Sequence, residues 1–209
     1  MCWSATASLN TFLFSVFGFA FGLANGYPVR LLLFAMTFST VQLAEFFIWR
    51  SIDTRDAAMN ALASKCLLAV LIAEPYLAAN MIEEPQRRAL MVAAYTAFLC
   101  MSAAYVVFAT PGIEYRSAPG QNGHLRWLWT NNLMPIIFLW SIFLLLPILL
   151  SRSYVGFCFG IVTVALSAYF YHRYDTMGTM WCWTATAFWL VVVAVALCKS
   201  KVCRVFDGA

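Results

Sequence analysis

The chain has 209 residues, of which 63% are hydrophobic and 11% charged, and it carries a net charge of +4. Soluble domains hold about 25% charged and roughly half apolar residues, so this balance excludes an ordinary soluble domain and points to a polytopic membrane protein. The positive charge lies in the connections between apolar runs, and neither nucleic acid nor an acidic partner is needed to explain it.

Seven apolar runs stand between charged or Pro/Gly punctuation, at residues 9–24, 31–49, 66–82, 89–109, 128–150, 154–171 and 179–198. Each approaches the ~20 residues that cross a hydrocarbon core. The expected fold is all-α: one domain over residues 1–209, a bundle of seven transmembrane helices. The first run has no basic leader and is expected to remain as a helix rather than be removed as a signal peptide. The connections are short, and residues 111–126 form the one loop long enough to fold over the bundle mouth. Seven scattered cysteines give neither a disulfide framework nor a metal-binding pair, so no metal site is expected. Lys and Arg number seven on the C-terminal side of the helices against five or six on the N-terminal side, which favours an external N-terminus and a cytoplasmic C-terminus.

The N-terminal-side end of the first helix carries Cys2-Trp3-Ser4-Ala5-Thr6-Ala7-Ser8, and the last opens with Cys182-Trp183-Thr184-Ala185-Thr186-Ala187-Phe188. Small hydroxylated residues let two helix backbones approach, so the pair predicts first and last helices side by side, closing the bundle into a ring. Small-residue packing without any pseudo-symmetry is the alternative. In the second helix Gln42, Glu45 and Trp49 are spaced three and four apart and share one face. Glu45 lies about 7 Å from the N-terminal-side boundary. A carboxyl there costs on the order of 2.5 to 3.5 kcal/mol on insertion scales and normally faces a partner or a cavity.

The third helix holds Glu74-Pro75 near mid-span. Pro75 has no N–H, so the Leu71 carbonyl is expected to lose its helical partner and sit near the carboxyl. Together they form a candidate cation or proton station; a neutral Glu74 bonded to a neighbouring helix is the alternative. The fifth run opens with Trp127, Trp129, Asn131 and Asn132, and at least one amide is expected to face inward, because unpaired amides in hydrocarbon cost several kcal/mol. His172 ends the sixth run.

Alternating helix direction puts Gln42, Glu45, Asn131, Asn132, His172 and Thr186 in one leaflet, with six of the eight tryptophans. Aromatic belts normally occupy both interfaces. The asymmetry predicts a polar pocket on the N-terminal side, rimmed by Trp3, Trp49, Trp127 and Trp183. A hydrogen-bonded packing network with no ligand is the competing reading.

Retinal is not expected, since retinal proteins need a Lys in the middle of the last helix and here Lys199 stands at its exit. No other cofactor is predicted. Signatures of the G-protein-coupled receptors are absent, and two histidines are too few for the His-rich zinc site of membrane hydrolases. Met1–Ser8, Gln42, Glu45, Trp49 and Trp181-Cys182 resemble a family of uncharacterised small membrane proteins that begin Met-Cys-Phe-Ser-Ala-Thr-Ala-Ser. The chain departs from it at Trp3, and at Phe46 where a Gly after the Glu is expected. The resemblance implies the architecture and points to the same residues, without naming a reaction. The leading functional expectation is a small channel or transporter for a cation, proton or small polar solute, with Glu45 and Gln42 at one face and Glu74 at mid-depth. The alternative is an intramembrane enzyme or ligand-sensing protein, with Glu45 beside His172 and Cys182. The bilayer is the expected partner, nucleic acid is not, and a homo-oligomer stays open.

Overall fold

A computed structural model describes residues 3–110, 112–130 and 133–206, with residues 134 and 199–206 as backbone. The helices are α1 Ala5–Ala24, α2 Val29–Thr54, α3 Ala57–Ala79, α4 Pro85–Ala109, α5 Met134–Leu150, α6 Tyr154–Tyr171, α7 Met177–Thr186 and α8 Phe188–Phe206. Among the described residues six helical stretches are long and apolar enough to cross a membrane, with α7 and α8 counted as one (Met177–Cys198); α5 is a shorter apolar helix. The protein is thus an all-α, multi-pass bundle.

Most helix starts differ from the sequence expectation, three of them for a clear local reason. The third helix begins at Ala57 because Asp56 caps it, its carboxylate accepting the Met59 N–H at 2.9 Å. Polar Asn60 and Ser64 obscured this first turn in the sequence. The fourth begins at Pro85, whose missing N–H costs nothing at the first helical position. The fifth run is helical only from Met134, because Leu125–Trp127 (β2) pairs antiparallel with Ser117–Pro119 (β1), and Leu128–Thr130 turns as a 3-10 helix before Pro135 starts α5.

The expected last helix is divided at Ala187. Ala187 N–H bonds to Thr184 O and Leu190 N–H to Ala187 O, so three-residue bonds replace the α-helical ladder there. The Thr184 and Thr186 hydroxyls donate back to Trp181 O and Trp183 O, a habit that bends helices.

Helix α2 is the centre of the bundle. Its most apolar window is 61% buried against 11% for α4 and for α6, and it packs on α1, α3 and α7. One seam joins α1, α2 and α8 through Trp189, which has no exposure. The Trp189 indole N–H donates to Ser39 Oγ at 2.8 Å, and its ring lies so close to Gly18 that a Cβ there would meet Cε3 at 2.9 Å. The β hairpin closes the N-terminal-side end of the bundle. Asn60 of α3 bonds both backbone groups of Ser117, donating to its carbonyl at 3.0 Å and accepting its N–H at 2.9 Å, while Ser64 Oγ meets Ser117 Oγ at 3.0 Å. Leu125, fully buried, roots the second strand.

Candidate functional site

A cavity of about 870 Å³ lies beneath the hairpin, between the N-terminal-side halves of α4 and α5. The middle of α3 forms its floor and the start of α7 its far wall. Its lining is mostly Leu, Ile, Val and aromatic side chains, among them the indoles of Trp127, Trp129, Trp140 and Trp181. Ala103 and Val107 of α4 border it and are exposed, so the cavity is open on the surface that a bilayer would cover. His172 and Asp175, both exposed, mark its polar end. Among the described residues no Lys or Arg lines it.

Local folding places these groups. Trp127 closes β2 and Trp129 follows in the 3-10 turn, so their rings stack in parallel, 5.9 Å between centroids at 2°. Gly178 lets α7 approach this stack: a Cβ there would meet Trp127 Cζ3 at 2.7 Å. Trp181 stands against Phe38 of α2 on one side and Trp140 of α5 on the other, and its N–H donates to Thr163 Oγ1 of α6 at 3.1 Å. Asp175 takes a left-handed conformation (φ 55°) that ends the short turn after α6, and its carboxylate pairs with Arg126 at 2.8 Å. Beside it, Asn122 donates to Thr176 Oγ1 at 2.9 Å and ties the hairpin tip to the start of α7.

Trp140 fills the place that Pro75 vacates. Its indole N–H donates to the Leu71 carbonyl at 2.8 Å, so the acceptor expected to be left open in the third helix is occupied. The next carbonyl, Ile72 O, accepts the Tyr95 hydroxyl at 2.9 Å. Glu74 itself has no exposure, and neither of its oxygens meets a hydrogen-bond donor among the described residues. Such groups are rare, and each calls for an explanation.

The sequence-predicted residues divide into two sets. Trp127 and His172 share the cavity. Gln42 and Glu45 have no exposure, both are engaged in interactions within the protein, and they lie outside the cavity lining, as Glu74 does. Thr186 is buried, Trp183 half-buried and Trp49 buried, all away from the cavity lining. Trp3 is 46% exposed, with its ring 6.1 Å from that of His124. Burial holds the His124 imidazole below its ordinary pKa of 6.5, so it stays neutral at physiological pH. Asn131 and Asn132 lie outside the described residues. Among the described residues no three His, Cys, Asp or Glu side chains are grouped so as to hold a metal ion.

Sequence reading does not single out Trp140 or Asp175, and it places Trp129 and Trp181 in the tryptophan-rich leaflet without naming them at the rim. Trp140 carried a signal: tryptophans favour membrane interfaces, so an indole within a long apolar helix needs an internal partner for its N–H.

The fold and cavity define a multi-pass helical bundle with an aromatic-lined chamber open beside α4. Compared with known proteins, the chain matches no protein-family model, no curated protein and no solved structure.

Proposed function

We propose that this protein binds an apolar ligand, drawn from the bilayer, in the chamber between α4 and α5, and acts as a ligand-sensing or lipid-handling membrane protein. One observation carries the reading: about 870 Å³ of space among apolar and indole side chains, a size within the range of small-molecule sites, open where lipid would lie and polar at one end. Purified protein in nanodiscs should take up dodecane saturably, in proportion to protein. Ser102→Trp, which places a large ring in the chamber from α4, should weaken this at least tenfold; equal uptake by the variant would reject the reading.

A second reading, passage of a proton or small cation, is favoured by two carboxyls with no exposure, Glu45 and Glu74, on the packed pair α2 and α3. In proteoliposomes Glu45→Gln should then reduce flux at least tenfold, and unchanged flux would remove Glu45 from the pathway. Intramembrane enzyme chemistry stays with the chamber as well, since His172 and Cys182 both line it while Glu45 does not.

For the architecture we read α5 as a seventh span and the first and last helices as neighbours. The closeness of Gly18 and Trp189 supports the second point, as does Gly22, where a Cβ would lie 3.4 Å from Val192 Cγ1. The excess of Lys and Arg on the C-terminal side supports an external N-terminus, and on that reading the polar end of the chamber faces outside.

A further inference from the structure

Among the described residues five hydroxyl side chains line the chamber, Ser102, Tyr115, Thr130, Ser141 and Thr179. Three of them are engaged. Thr130 Oγ1 donates to Trp127 O at 2.7 Å, Ser141 Oγ to Ile137 O at 2.9 Å, and Thr179 interacts within the protein. Ser102 differs: its hydroxyl meets no hydrogen-bond partner among the described residues, and its oxygen is accessible rather than sealed in the packing. The contrast holds within α4, where Thr96 donates back to Val92 O at 2.8 Å and Thr110, at the helix end, to Val106 O at 3.0 Å. Such back-bonding is the usual resource of a hydroxyl on a membrane helix, and Ser102 does not use it.

Position fixes where that hydroxyl looks. Tyr95, Phe98, Ser102 and Val106 recur at spacings of three and four and form the inward stripe of α4. Tyr95 and Phe98 are buried, and Val106 packs against the core. Ser102 is half-buried between them, about 10 Å from the hairpin end of the helix at 1.5 Å per residue. Ala103 and Val107 flank the opening, so the accessible side of Ser102 is the chamber.

We infer that Ser102 binds an uncharged oxygen, a hydroxyl or a carbonyl, carried on an otherwise hydrocarbon ligand of the chamber. A serine hydroxyl donates one hydrogen bond and accepts others, so it serves an alcohol and a ketone alike. Its neighbours on the wall, Phe98, Leu99 and Val106, are apolar, and a charged head at this depth would lack a counter-ion. An oxygen that reaches Ser102 gains a partner that bilayer hydrocarbon cannot supply.

This inference rests on the chamber being a ligand site and adds the place and chemistry of the ligand's oxygen. The test measures saturable binding of dodecane, dodecan-1-ol and dodecan-2-one to the full chain in nanodiscs, for wild type and Ser102→Ala. Ligand and side chain each lose an oxygen in this cycle, so the unequal solubility of the probes in lipid cancels. Ser102→Ala breaks no intrahelical bond and installs the best helix former, so the fold is kept. It should weaken binding of at least one oxygenated probe about fivefold relative to dodecane, the worth of about one net hydrogen bond. A loss confined to the alcohol or to the ketone tells which oxygen the site takes. Ser141→Ala, whose hydroxyl is already held by Ile137 O, should keep the wild-type ratio, and a shift there as large as that of Ser102→Ala overturns the assignment. An equal effect of Ser102→Ala on all three probes overturns it while the chamber reading stands. So does a loss that follows Tyr115→Phe rather than Ser102→Ala, since Tyr115 carries the other unengaged hydroxyl among the described lining residues. Failure of all three probes to bind saturably overturns both.

Discussion

Trp189→Ala is expected to cost about 3–5 kcal/mol of stability, the range for emptying a large buried aromatic site. The side chain has no exposure and lies between three helices, with Gly18 of α1 beneath the ring, Ser39 of α2 at its N–H, and Phe19 edge-on at 6.3 Å. In a bilayer the hydrophobic drive between helices is weak, because lipid is as apolar as the core, so dispersion contacts of this kind hold the bundle. The ring cannot be replaced by collapse, since Gly18 has no side chain to move inward. Ser39→Ala should cost about 1–3 kcal/mol, because it leaves the buried indole N–H without its acceptor. Trp189→Phe should fall between the two. Titration with a denaturing detergent in mixed micelles measures all three, and a loss under about 1 kcal/mol for Trp189→Ala would show that the α1–α2–α8 seam does not organise the bundle.

That seam also shows what a sequence conveys and what it withholds. The periodicity of Ser39, Gln42 and Glu45 on α2 marks a buried polar stripe, and the structure buries all three completely. Which helix covers each one is a tertiary fact. Trp189, 150 residues away, takes Ser39, and no local pattern in either segment names the other. The same holds at Pro75. Loss of its N–H is certain from the sequence, but the donor that replaces it comes from Trp140, 69 residues away. The crowding of tryptophans at one end was legible as composition, and three of those residues, Trp127, Trp129 and Trp181, line the chamber with Trp140. What could not be read was that Trp127 and Trp129 leave the helix. They stack because β2 and the 3-10 turn after it hold them, and a two-stranded hairpin of three residues per strand is too short to announce itself by alternation.

The hairpin's own anchor gives the second large effect. Asn60→Ala should cost about 2–6 kcal/mol, although it deletes only an amide on the first turn of α3. Asn60 presents its donor and acceptor to the carbonyl and N–H of Ser117, as a neighbouring strand would, and Ser117 is only 5% exposed. Truncation leaves two buried backbone groups unpaired, each at about 1–3 kcal/mol, and the two sum because both belong to one residue that cannot turn to water without lifting β1. Asn60→Asp keeps the acceptor for the Ser117 N–H but sets a carboxylate against its carbonyl, so it should destabilise as well and should not rescue. Hydrogen exchange is the sharper measurement, because the effect is local: amides of residues 112–130 should exchange faster while those of α2 keep their protection. Unaltered exchange across residues 112–130 would mean that Leu125 and the Arg126–Asp175 pair hold the hairpin without Asn60, and that the polar end of the chamber is set from α7 rather than from α3.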